Sequence, residues 1–163
     1  MKIRRDHEYP HVLEAVYALF VDEEEIEAKH AALGARNFSI EQCELYEDGA
    51  DVRFVRELPA EVPGVLAKFL QPWNTVEQAE QWRSSDNGGY DAELDIDIAG
   101  VPVTITGTLE LEPVEGGCVN HVRIDIDCGI PRVGGTLAEY VTRDCKRLVA
   151  DEYDYICRRL GSD

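Results

Sequence analysis

From Phe38 to Cys128 apolar residues tend to recur at every second position. Glycine-bearing turns punctuate the pattern at Glu47-Asp48-Gly49, Asn87-Gly88-Gly89, Ala99-Gly100 and Glu115-Gly116-Gly117. A period of two buries one face of a strand and wets the other, and short turns of this kind join antiparallel neighbours. The spacing predicts six strands near 38–46, 51–58, 73–83, 90–98, 102–112 and 118–128, at least the last three forming a meander. There the alternation is cleanest. Ala92, Leu94, Ile96 and Ile98 oppose Glu93, Asp95 and Asp97; Val103, Ile105, Leu109 and Leu111 oppose Thr104, Thr106 and Thr108; Val122, Ile124, Ile126 and Cys128 oppose His121, Arg123, Asp125 and Asp127. A sheet with one dry face needs a cover.

The cover stands at the end of the chain. Leu137, Val141, Cys145, Leu148, Val149, Ile156 and Leu160 fall in one arc at 100° per residue. Thr136 and Glu139 read as a T-x-x-E capping box, and Gly161 as a closing glycine. The helix between them, about 24 residues and ~36 Å long, crosses the sheet. Before the strands, residues 1–9 read as a strand leading into a helix over 10–20, with Pro10 in its first turn and Val12, Leu13, Val16, Leu19 and Phe20 on one face. Asp22 and Glu25 cap a second short helix that stops at Gly34. No repeat or linker divides the 163 residues, which read as one α+β domain over 1–163.

Charge narrows the partners. Thirty-three acidic residues against sixteen basic ones give a formal charge of -17, which repels nucleic acid and anionic bilayers. No apolar run is long enough to insert in a membrane, and the start MKIRR leads into charged DHE, so a cytoplasmic location is expected. Five cysteines, an odd set with no C-x-x-C pair, read as buried reduced thiols.

The order strand, two short helices, six antiparallel strands and a long C-terminal helix resembles the helix-grip fold of the START-like and polyketide-cyclase-like superfamily (SRPBCC), which includes birch-pollen-allergen-type proteins. The residues carrying the resemblance are the opening strand into Pro10, the turn at Asp22 after Phe20, the glycine-rich hairpins and the 137–160 helix. Val62-Pro63 and the G-x-P turn at 100–102 are similar to an uncharacterised bacterial branch of that superfamily. The resemblance implies a curved seven-stranded antiparallel sheet gripping the long helix. It also implies an apolar cavity between them for a lipid-like, aromatic or polyketide-like molecule. Physics leaves two outcomes: a bent sheet cannot press a straight helix along its whole length, so the gap is either kept for a ligand or filled by bulky Phe54, Trp73, Trp82 and Tyr90.

Several motifs lose to plainer readings. His7-Glu8-Tyr9-Pro10-His11 matches H-E-x-x-H, but Pro10 breaks the helix that zinc chemistry needs. Asp95-Ile96-Asp97 and Asp125-Ile126-Asp127 fall on the wet face. No G-x-S-x-G elbow, P-loop or G-x-G-x-x-G occurs, and no cofactor is expected. Glu152 stands apart, because it lies near the centre of the helix's apolar arc, between Leu148 and Ile156, where a bare carboxylate costs several kcal/mol. Its ways out are pairing with Arg56 or Arg5, a cationic ligand group, a raised pKa, or snorkelling to the sheet edge. The 73–83 strand lacks a consistent dry face, which would let polar groups enter the cavity. The amphipathic insert at 62–71 reads equally as a lid or as a plug.

The candidate ligand-binding residues are Phe54, Arg56, Tyr90, Leu94, Ile105, Leu109 and Ile124 on strands, Leu66, Phe69 and Trp73 around the insert, and Val141, Cys145, Leu148 and Glu152 on the helix. The expected function is binding of one small apolar or amphipathic molecule. Two alternatives stay open: a cyclase, isomerase or hydrolase-like enzyme using Glu152 and a facing Arg or Tyr, and a cavity-free interaction module acting through its acidic face or as a homodimer.

Overall fold

The computed structural model describes residues 1–161. Its elements are β1 (Lys2–Tyr9), α1 (Leu13–Val21), α2 (Glu23–Ala32), β2 (Arg36–Tyr46), β3 (Gly49–Pro59), β4 (Trp73–Ser84), β5 (Tyr90–Ile98), β6 (Thr104–Val114), β7 (Gly117–Asp127) and α3 (Gly134–Leu160), with one 3-10 turn at Gly64–Leu66. The strands form one seven-stranded sheet in the order β1-β7-β6-β5-β4-β3-β2, every pair antiparallel. Register shifts between Arg36 and Ser39 and between Ile40 and Gln42 bend the β2 edge, and the curved sheet wraps around α3 as a helix grip.

Two helix starts differ from the sequence reading. Pro10 is not in the first turn of α1: β1 stays paired to β7 as far as Tyr9–Cys118, so Pro10 and His11 turn the chain and Val12 becomes the N-cap. The Thr136–Glu139 box does not cap α3 either. The helix begins three residues earlier than that box implies, at Gly134, where a Cβ would press on the Cys128 carbonyl at 3.2 Å, and Val133 caps it without a side-chain bond. The Asp22 cap does form, its Oδ1 accepting from the Glu25 N–H at 3.0 Å, and Gly34 leaves α2 at φ +91°.

One end of the grip is filled. Trp82, Phe20 and Phe54 are at most 2% exposed, each burial contributing about 1.5–3 kcal/mol, and Tyr17 stacks on Tyr90 at 3.7 Å. Trp73 goes the other way: on β4 it lies on the face opposite Asn74, Val76, Gln78, Glu80 and Trp82, under the Arg36 guanidinium at 3.8 Å. The insert is pinned at its base, where the Asn74 side chain accepts from the Gln71 N–H (3.0 Å) and donates to its carbonyl (2.7 Å). Leu66 and Leu70 of the insert are buried, and Leu70 borders the space beneath the long C-terminal helix.

Candidate functional site

Helix α3 is held at its two ends and spans a gap between them. Leu137 and Val141 bury the first third, where the Tyr140 hydroxyl donates to the Glu61 carbonyl at 3.0 Å. Ile156 buries the last third, where the Tyr153 hydroxyl donates to the Glu8 carbonyl (2.9 Å) and Arg159 pairs with Glu25 on α2 (2.7 Å). In between, Cys145, Leu148, Val149 and Glu152 are only half-buried although they point at the sheet. Below them lies a hollow of ≈ 90 Å³ walled by Phe20, Leu94, Leu109, Val122 and Ile124. A second lobe of ≈ 60 Å³ runs toward the insert past Leu58, Leu70, Val76, Ile98, Ile105 and Val141. Arg56, Leu58, Ile96, Cys145 and Leu148 border both lobes.

Polar groups enter where β3 and β4 face the helix. Alternation that turns Val52, Phe54 and Leu58 inward also turns Arg56 inward, and on β4 it delivers Gln78 and Glu80. Arg56 Nη2 donates to Gln78 Oε1 (2.9 Å), Gln78 Nε2 donates to Glu80 Oε2 (2.7 Å), and the Trp82 indole N–H donates to Glu80 Oε1 (3.0 Å). Glu152 meets Lys29 of α2, Nζ to Oε2 3.1 Å, with the ammonium 4.1 Å above the Phe20 ring. Lys29 is therefore the ion-pair partner of Glu152, not Arg56 or Arg5; Arg5 sits exposed at the sheet edge opposite Val122.

Burial sets the electrostatics of the cluster. It lowers Arg56 to about 10, against the pull of Glu80 and Glu152, which leaves the guanidinium charged at neutral pH. It pushes the Glu80 carboxyl up, opposed by the Lys29 charge and the bonds from Trp82 and Gln78. His30 is held well below its usual range by burial first and by Arg56 and Lys29 second, so its ring, set against Phe54 at 4.6 Å, is neutral. The Cys145 thiol is pushed up to about 12, which makes it a wall and not a nucleophile.

Of the residues singled out from the sequence, Arg56, Leu94, Leu109, Ile124, Cys145, Leu148 and Glu152 border the larger lobe, and Ile105 and Val141 the smaller. Phe54, Leu66, Phe69, Tyr90 and Trp73 border neither lobe: Phe54 packs behind the site against His30 and Phe38, Tyr90 stacks on Tyr17, Leu66 and Phe69 belong to the insert, and Trp73 lies on the other face. Lys29, His30, Gln78 and Glu80 were missed. The signal for the first two was present in α2, where Ile26, Lys29, His30 and Leu33 follow the i, i+3, i+4, i+7 spacing of one helix face. Elsewhere, His7 sits in β1 opposite Asn120, so the H-E-x-x-H stretch is extended chain, and Asp95, Asp97, Asp125 and Asp127 are exposed. All five cysteines are free. No helix among the described residues is long and apolar enough to cross a membrane.

A curved seven-stranded antiparallel sheet gripping a long terminal helix is the START-like helix-grip fold. The chain belongs to the family described as "Protein of unknown function (DUF2505)", whose model matches residues 4–160. Solved structures with the same fold include TTHA0849 from Thermus thermophilus (15% identity, TM-score 0.65, 99% of this chain and 100% of that one). Ms6760 from Mycobacterium smegmatis is similar at 9% identity and TM-score 0.61 (98% and 90%). Human STARD10 aligns at 11% identity and TM-score 0.62, over 96% of this chain and 63% of that one. At these identities the likeness concerns the fold. No curated protein matches the chain.

Proposed function

We propose that this protein binds one small amphipathic molecule in the hollow between the sheet and α3. The observation that carries the reading is the unfilled middle of the grip. A helix fully seated on a core would bury its central apolar residues, yet Leu148 and Val149 remain half-buried over apolar walls. Such surface favours contact with an apolar guest, and the few inward polar groups would fix its orientation. The pairing of Glu152 with Lys29 lets that carboxylate stay in the wall without a ligand cation.

The test is uptake. Protein purified from its own cells and extracted into organic solvent should release a stoichiometric small molecule detectable by mass spectrometry. Stripped protein should take up at least one member of a panel of fatty acids, sterols and aromatic polyketides. Leu148→Trp, which fills the larger lobe, should abolish that uptake while leaving the circular dichroism unchanged. Failure of the stripped wild-type protein to bind any of the panel, or uptake by Leu148→Trp equal to wild type, would overturn the proposal.

A further inference from the structure

We propose that the molecule held in the hollow carries a carboxylate and that the Arg56 guanidinium is its anchor, an inference that rests on the binding function proposed above. Arg56 is 5% exposed and borders both lobes, so its head stands at the waist of the cavity. Its only side-chain hydrogen-bond partner among the described residues is the neutral amide of Gln78. Nε and Nη1 find no acceptor among the described residues, although both atoms are buried. A buried donor left without an acceptor costs free energy, and a buried cation without a counter-ion costs more. Lys29, the other buried cation of the site, has its own carboxylate in Glu152. Arg56 reaches Glu80 only through Gln78.

The missing group is thus an oxygen acceptor, and a negative charge on it would lie against a guanidinium whose hydrogen-bonded partner is a neutral amide. A carboxylate meets both requirements and makes the stronger, charge-assisted bond. An amine head would add a third cation beside Arg56 and Lys29 and would offer the free N–H groups nothing. A phosphate monoester would bring up to two charges into a space bordered by Glu80 and Glu152. From the waist, an apolar body can extend along Leu94, Leu109 and Ile124 or into the lobe beside Val76, Ile98 and Ile105.

Isothermal titration with octanoic acid, methyl octanoate and 1-octanol at neutral pH tests the anchor. Wild-type protein should hold the acid about tenfold or more tighter than the ester or the alcohol. Arg56→Gln should erase that preference, and Arg56→Lys, which keeps the charge, should retain part of it. Equal binding of all three probes by the wild type would overturn the anchor and leave the binding function standing, a comparison that needs no variant. An acid preference that survives in Arg56→Gln would also overturn the anchor. Binding of none of the three would count against both.

Discussion

Replacing Glu152 with alanine should destabilise the protein without touching its hydrophobic walls. The Lys29 side chain is 2% exposed, and its one carboxylate partner among the described residues is Glu152 at 3.1 Å. Severing a fully buried ion pair costs about 3–5 kcal/mol because the remaining charge is stranded. The Glu152 side chain is 28% exposed, so water already screens part of the attraction, and the Phe20 ring at 4.1 Å keeps supporting the cation. The discounted cost is about 2 kcal/mol, which for a domain of this size lowers Tm by about 4–8 °C. Urea titration at neutral pH reads the loss directly. Lys29→Met combined with Glu152→Ala should recover part of it, with a coupling of about 1 kcal/mol or more in the double-mutant cycle. A loss below about 0.5 kcal/mol for Glu152→Ala, or strictly additive single variants, would refute the claim that this pair carries the buried charge.

Three further outcomes follow from the geometry. On the outer face, His121 bonds Asp6 (2.7 Å) and Glu112 (3.1 Å), and the Asp6 bond most of all raises its imidazole above the ordinary 6.5. Its contribution is therefore complete below about pH 6.5 and is lost as pH rises through the higher folded value; its NMR titration midpoint should exceed that of a free histidine, and wild type should lose stability relative to His121→Gln as pH rises above about 6.5. Cys145, raised to about 12 by burial, should resist iodoacetamide in the folded protein and react after urea unfolding, as peptide mass spectrometry will show. Asn74→Ala removes both bonds that pin Gln71 and should cost about 1–2 kcal/mol in urea titration, with faster proteolysis within 60–72.

The fold was legible wherever one periodicity acted alone. Strands β5 to β7 alternate without exception at their centres, and the α3 arc from Leu137 to Leu160 is continuous, so their pairing as sheet and cover needed no further information. Helix starts were harder, because the T-x-x-E signal at Thr136 competed with Gly134, whose small size only matters once Cys128 is packed against it. Part of the site was legible too: a carboxylate at position 152 in an apolar arc had to have a partner. Which partner depends on how α2 is laid against α3, a tertiary fact that the α3 pattern does not encode. β4 hid its inner face because Asn74, Gln78 and Glu80 are polar. Apolar counting assigns such residues to water, while here Gln78 bonds Glu80 and one nitrogen of Arg56, and Asn74 bonds the Gln71 backbone. Polar residues turned inward are where a pattern built on burial fails and where a binding site is most readily built.

The central claim is that α3 crosses the hollow of the sheet without filling it. Diffraction from crystals pressurised with xenon tests this without reference to any natural ligand, since xenon settles in apolar voids. Xenon density beside Leu109, Ile124 and Leu148 is the predicted result. Side chains closing that space in the unpressurised crystal, with no xenon beneath α3, would contradict it.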